Sequence, residues 1–256
     1  MKVLLIIKDK NKEALEVSLR IKENLKEFGI DYFEYFLSSE EDKFSGYDLA
    51  ITLGGDGTII RACKMVKVPI LGINVGGRGI LAEIKPKDFS EALKRIVKGE
   101  FFVEKRMMLE VDVKGKIYPP VLNEVLFIKA EPLYTPLFKV TLPLGDEISS
   151  KMDGLMVSTP TGSTGHSYSL GGPIAQEDLE LFIVNFIAPL NRLPPLILPP
   201  NPITLSSTHP SFLVLDGQNY EKLESEERVK VKKSNSYAEF LRLDKKSLRQ
   251  IRKLGF

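Results

Sequence analysis

Three strand-like runs, Val3–Ile7, Asp48–Leu53 and Pro69–Asn74, fall in the first hundred residues and are almost wholly apolar. A strand that is apolar on both faces must be covered on both faces, which is the situation of a parallel sheet between helices. Helical segments separate the runs as that geometry requires. Leu15, Leu19, Ile21, Leu25 and Phe28 mark the expected inner face of a charged helix ended by Gly29, Thr58–Val66 reads as a second helix, and Asp88–Val97 as a third, stopped by Gly99. This part of the chain is expected to be an α/β domain with a mainly parallel sheet.

The texture changes near residue 100. Period-two segments follow at Met107–Val113, Val121–Lys129, Phe138–Leu142, Ile203–Ser207, Phe212–Asp216, Arg228–Lys232 and Tyr237–Leu243, separated by turn residues. They predict a β-rich, sandwich-like domain over 101–243. Leu193–Pro202 reads as a rigid, extended connection, and Asp244–Leu254 as a charged final helix. The expected division is residues 1–100 and 101–243, with 244–256 returning to the first domain.

Charge narrows the partners. Lys and Arg number 36 against 34 Asp and Glu, a formal net charge of +2, with no basic stripe. That excludes an obvious nucleic-acid binder, but a few cations could still be focused on a phosphorylated small molecule. The one cysteine, Cys63, reads as a small buried residue and points to a reducing, cytoplasmic setting. The start, Met1 to Lys8, reads as a buried strand, not a secretion signal, and no apolar run reaches the ~18 residues of a membrane span. Two histidines and one cysteine leave little for a nitrogen or sulfur metal cage. Magnesium carried by a substrate's phosphates suits the composition better.

The chemistry concentrates in three stretches. Gly54-Gly55-Asp56-Gly57-Thr58 joins a strand to a helix, at the sheet edge where open α/β folds bind ligands. Glycines let backbone N–H groups approach a phosphate, and the helix N-terminus adds partial positive charge. Asp56 could simply cap that helix, or it could accept a proton from an attacking hydroxyl. A second glycine-rich loop with Arg78, residues 72–79, should lie beside it. The third stretch runs from Asp153 to Pro173 and holds six hydroxyl residues between Ser158 and Ser167. These could hydrogen-bond ribose or phosphate oxygens. Asn123 and Glu124 sit together within a β pattern, so one of them should face inward and need a partner.

Gly-Gly-Asp-Gly-Thr, the later Asn-Glu pair and Thr-Pro-Thr-Gly-Ser-Thr followed by Gly-Gly-Pro together resemble the NAD kinase family, over essentially the whole chain down to the closing Lys-Leu-Gly-Phe. The resemblance implies phosphoryl transfer from ATP, or from polyphosphate, to the 2′-hydroxyl of the adenosine ribose of NAD, giving NADP, with a divalent metal, magnesium, carried with the donor. It implies Asp56 as general base, Gly57 as its backbone partner, and Gly54, Gly55, Gly57 and Thr58 as the phosphate loop. Arg61 falls where a basic residue follows the motif. Asn123 and Glu124 match the pair holding the adenosine part, and Lys151 and Asp153 precede the hydroxyl-rich loop. Thr164, Gly165, His166, Ser167, Tyr168 and Ser169 match the segment wrapping the dinucleotide, and Gln218 a further contact. A homo-oligomer, dimer or tetramer, is expected. Three positions depart from the family pattern: Gly165-His166 replaces Ala-Tyr, Arg78-Gly79-Ile80 replaces Leu-Gly-Phe, and Leu190 replaces a histidine. Two other readings of the same motifs are a kinase for another hydroxyl substrate, such as a lipid, and a silent dinucleotide sensor.

Overall fold

The computed structural model describes residues 1–37, 42–246 and 248–255. Ser247 of the expected last helix and Phe256 of the closing tetrapeptide lie outside them. The chain divides into two compact units, Met1–Arg106 with Ala238–Phe256, and Met107–Tyr237.

The first unit is built on β1 (Lys2–Lys8), α1 (Lys12–Glu27), β2 (Asp31–Leu37), β3 (Leu49–Gly54), α2 (Asp56–Met65), β4 (Ile70–Asn74) and α3 (Phe89–Val97). The strands pair in parallel in the order β2-β1-β3-β4. Both faces of β1 are covered, as its apolar run requires: Val3 to Ile7 are all fully buried. Val3, Leu5 and Ile7 pack with Ile21 and Leu25 of α1 and Phe89, Leu93 and Ile96 of α3. α2 takes the opposite face, where Ile59 sits so close to Gly72 that a Cβ there would lie 2.6 Å from its Cδ1.

α1 starts where Asn11 accepts the Ala14 N–H at 2.9 Å, and stops at Gly29, whose φ of +63° only glycine adopts freely. Its inner face differs from the expected one. Ala14, Ser18, Ile21 and Leu25 are buried, whereas Leu15, Leu19 and Phe28 are exposed. The buried set keeps a 4-3-4 spacing, and two small residues let the helix approach the sheet. Apolar identity was misleading there because spacing decides which side faces inward.

The second unit contains a six-stranded antiparallel sheet. Its members are β7 (Glu124–Lys129), β10 (Gly154–Ser158), β11 (Phe182–Ile187), β12 (Leu196–Leu198), β14 (Ser211–Leu215) and β15 (Asn219–Leu223), in the order β12-β11-β10-β7-β14-β15. Opposite it run β8 (Leu137–Thr141), β9 (Glu147–Lys151) and β13 (Ile203–Ser207), together with parts of β5 (Phe102–Val113) and β16 (Val229–Arg242); β6 (Lys116–Ile117) pairs with β5. Alternate residues of both layers form one core, including Leu109, Phe127, Phe138, Leu155, Val184 and Val231, with Phe127 and Phe138 edge to face at 5.3 Å. Each such buried side chain contributes roughly 1.5–3 kcal/mol.

The fold is therefore the expected α/β domain plus a β-rich, sandwich-like domain. Several elements differ in detail. Arg228–Lys232 and Tyr237–Leu243 belong to one strand, β16, whose Phe240 pairs in parallel with Ile70 of β4. Leu193–Pro202 is not only a connection, because β12 lies within it and pairs with β11. The short helix α4 is His166–Ser169, and the last helix, α5, is confined to Arg249–Leu254. The edge strand β2 has Phe33 and Phe36 exposed, so it lacks the uniform burial that marked its neighbours.

Candidate active site

In the first unit, Gly54 at the end of β3 pairs with Asn74 at the end of β4, so the two glycine loops leave the sheet side by side. The Val75 N–H donates to the Gly54 carbonyl at 3.1 Å. Asp56 opens α2 but does not cap it: the N-cap is Gly55, which has no side-chain hydrogen bond to the helix. Instead both oxygens of the half-buried Asp56 are used by the second loop. Ile80 N–H donates to Oδ2 at 3.0 Å and Leu81 N–H to Oδ1 at 2.9 Å. The capping reading is thus replaced by one in which the neighbouring loop aims the carboxylate.

The glycines of the first loop divide by function. Gly54 is needed for packing, since a Cβ there would stand 2.3 Å from Thr58 Oγ1. Gly55 and Gly57 face open space and have no left-handed backbone to justify them. A helix position such as 57 favours alanine by ~1 kcal/mol, so neither packing nor helix propensity calls for glycine there. In the second loop Gly79 has φ +59° and a Cβ would be 2.2 Å from the Asn74 side chain. Asn74 in turn donates to the Gly77 carbonyl at 3.1 Å. Arg61 lies half-buried on α2, and Arg78 is exposed.

In the second unit the organiser is a residue the motif reading passed over. Asp216, Gly217 and Gln218 connect β14 to β15, whose Leu215 and Asn219 pair, and the first two sit at φ +52° and +63°, the left-handed region that Asp and Gly tolerate in tight turns. The buried Asp216 carboxylate accepts three backbone N–H groups, from Leu122 at 3.0 Å, Asn123 at 2.7 Å and Glu124 at 3.3 Å. Its own N–H donates to the Glu124 carbonyl at 3.0 Å. The Asp-Gly dipeptide between two strands was the available signal; its partner lay over ninety residues away.

The hydroxyl-rich loop closes on the same place. The Thr159 N–H donates to the Asn123 carbonyl at 2.8 Å, and Gly162 passes so near that a Cβ would be 2.4 Å from that oxygen. Several hydroxyls expected to face a ligand hold the loop together instead. Ser158 donates to the carbonyls of Asn123 and Thr159, Thr159 to Leu122, Ser163 to Pro160, and Ser167 to Asn185 Oδ1. Thr164 is buried, and Gly165, His166, Tyr168 and Ser169 present an exposed edge.

Asn123 and Glu124 are both half-buried. Burial, and then the Asp216 carboxylate, push Glu124 up to about 7. Gln218 completes the same hairpin turn, its N–H donating to the Leu215 carbonyl at 3.0 Å. Lys151 and Asp153 are not brought to this cluster within the unit. β10 runs antiparallel to β7 with Ser158 beside Glu124, so Asp153 lies at the far end, where it pairs with Lys129 at 2.6 Å. Lys151 is exposed on β9.

The ATP-NAD kinase N-terminal domain profile matches residues 33–101 and the ATP-NAD kinase C-terminal domain profile residues 122–243. An NAD kinase of Pyrococcus furiosus is 34% identical, covering 96% of this chain and 95% of its own. Among solved structures, an NAD kinase from Archaeoglobus fulgidus in complex with ATP superposes with a TM-score of 0.81 at 27% identity, over 99% of this chain and 97% of that one. A yeast NADH kinase complexed with NADH shares the fold, with a TM-score of 0.84 at 20% identity over 99% of this chain and 86% of that one. With both domain profiles matched in order and a relative at that identity over nearly its full length, the chain belongs to the NAD kinase family.

Proposed function

We propose that this chain is an NAD kinase that moves the terminal phosphoryl group of ATP to the 2′-hydroxyl of the adenosine ribose of NAD. The observation that carries this is a lone carboxylate, Asp56, aimed by two backbone donors beside glycines that packing does not require. In the reaction the ribose 2′-oxygen forms a new bond to phosphorus as the bond from phosphorus to the ADP oxygen breaks. Asp56 takes the hydroxyl proton. Held in one orientation by Ile80 and Leu81, it spends no further entropy on alignment. Gly55, Gly57 and Thr58, at the start of α2, place bare backbone and a helix N-terminus where phosphate charge can be bound.

The adenosine side of NAD is assigned to Asn123 and Glu124, with Thr164 to Ser169 and Gln218 around it; Arg61, Lys151 and Asp153 are proposed as further contacts. No three His, Cys, Asp or Glu side chains converge to ligate a cation among the described residues. Magnesium is proposed on the family resemblance, held through the donor's phosphates with Asp56 as a neighbouring carboxylate. When bound, the ion would neutralise charge on those phosphates. A homo-oligomer and a cytoplasmic setting are proposed on family resemblance and cysteine content. No helix among the described residues is long and apolar enough to cross a membrane. The lipid-kinase and silent-sensor alternatives find no support in the likenesses to known proteins.

The direct test is incubation with NAD, ATP and magnesium, with parallel arms using polyphosphate as donor and NADH as acceptor. NADP and ADP should form in equal amounts. No phosphorylated dinucleotide in any arm would overturn the reading.

Gly57 offers a separation of folding from function. Gly57→Ala adds a methyl in open space on a helix, and should stabilise the protein by roughly 0.5–1 kcal/mol. It should also lower kcat/KM for ATP at least tenfold by occupying the donor's approach. Unchanged kcat/KM would mean the bare backbone serves no ligand.

Glu124 makes NAD binding pH-dependent. A ribose hydroxyl donating to its carboxylate favours the ionised form. NAD should then release a proton near neutral pH and bind several-fold tighter at pH 8 than at pH 6. Glu124→Gln should flatten the curve. Calorimetry in buffers of different ionisation enthalpy reads both affinity and proton release. A flat wild-type curve would remove the hydroxyl–Glu124 contact.

A further inference from the structure

The loop that aims Asp56 is itself held from the far end of the chain. Lys253 of α5 donates from Nζ to the Gly79 carbonyl at 3.1 Å and to the Ala82 carbonyl. Those carbonyls bracket Ile80 and Leu81, whose N–H groups hold Asp56. Beside this clamp, Arg242 donates to the Leu81 carbonyl at 3.0 Å. Arg249 and Arg242 both bind the buried Glu83 carboxylate, at 2.6 and 3.2 Å. The loop has little stiffness of its own, with Gly76, Gly77 and Gly79 all at positive φ.

We propose, resting on the kinase reading above, that Lys253 is a positioning residue for Asp56: its ammonium spans the Gly79 and Ala82 carbonyls and so fixes the two N–H groups that aim the general base. Arg242 and Glu83 fix the loop's C-terminal side, and Lys253 is the group that ties both ends of the Ile80-Leu81 pair.

The clamp has a distinctive titration. Burial, then the positive charges of Arg242 and Arg249, bring Lys253 down to about 8, against the opposing pull of Glu83 and Asp56. Arg78, Lys85, Lys87 and Asp88 line the same cavity of about 530 Å³, and their net charge is also positive. Above that pH the ammonium becomes an amine, whose hydrogen bonds to the two carbonyls are about half as strong. An arginine would remain charged throughout.

Three proteins test this: wild type, Lys253→Met and Lys253→Arg. Two quantities are read: NADP formation from pH 6.5 to 9.5, and amide exchange of the 76–84 segment without substrate. Lys253→Met should lower kcat at pH 7 at least tenfold, keep KM for NAD within about threefold, and speed exchange of that segment at least tenfold. Wild-type kcat should decline above about pH 8, and Lys253→Arg should hold its pH 7 value and show no such decline. Wild-type kcat in Lys253→Met, or the same alkaline decline in Lys253→Arg, would overturn the proposal. If the wild type made no NADP, the kinase reading would fail by itself. The exchange arm would still decide the clamp, with unchanged protection in Lys253→Met counting against it.

Discussion

Replacing Asp56 by asparagine is expected to cut kcat by about 10²–10⁴-fold, the usual contribution of a general base, while NAD affinity stays within a few-fold. The side chain accepts two backbone hydrogen bonds, one on each oxygen. An amide can accept on one side only, so its NH2 would face the N–H of Ile80 or Leu81. The variant should therefore also lose ~1–3 kcal/mol of stability, the cost of leaving a donor unpaired. The two effects separate experimentally. A melt reports the loop; burst and steady-state NADP formation at saturating NAD and ATP report chemistry. If Asp56 only tied the loops together, the stability loss would appear with kcat within a few-fold of wild type, and the base assignment would be lost. If the carboxylate does both jobs, kcat falls far more than stability explains.

The tie between Asp56 and the second loop shows where the sequence was legible. The glycine loop, its strand and its helix are consecutive, so local pattern placed the carboxylate at a sheet edge. Whether Asp56 caps its own helix was not a local question, because the donors its carboxylate accepts are 24 and 25 residues downstream. The same divide runs through the rest of the molecule. Buried strands such as β1 and β3 announce themselves by continuous apolar runs, whereas β2, at an edge with alternating exposure, does not. The hydroxyl-rich loop was recognisable as unusual, but which hydroxyls were already engaged depended on the carbonyls of Leu122 and Asn123, more than thirty residues earlier. Lys253 reads as one cation among many until its position, 171 and 174 residues from the carbonyls it binds, is known. Composition and periodicity report what a segment needs; they do not report which distant group supplies it.

The second large effect is expected at Asp216. Asp216→Asn keeps a residue that tolerates the left-handed turn but removes the charge and one acceptor oxygen. Leu122 N–H uses Oδ2, whereas Asn123 and Glu124 share Oδ1. One side of this arrangement must lose its partner, and the rest lose charge assistance, so stability should fall by about 1–3 kcal/mol. Asn123 and Glu124 would no longer be held in register, and NAD affinity should weaken at least tenfold. A second consequence has an opposite sign. Glu124 titrates at about 7 in the folded protein, above its ordinary value of 4.5, so the folded state holds its proton more tightly than the unfolded chain does. Its stabilising contribution is complete below about 4.5 and is lost as pH rises through 7. Part of that loss is repulsion from Asp216, and asparagine removes this part. Burial, the larger cause, remains, so Glu124 should titrate lower than in wild type but still above 4.5. The stability gap between the two proteins should therefore be widest near pH 6 and narrower at pH 8.5. Denaturant melts at several pH values measure it. A gap constant across that range would show that Asp216 does not act on Glu124, and no gap at all would show that the turn holds without its carboxylate.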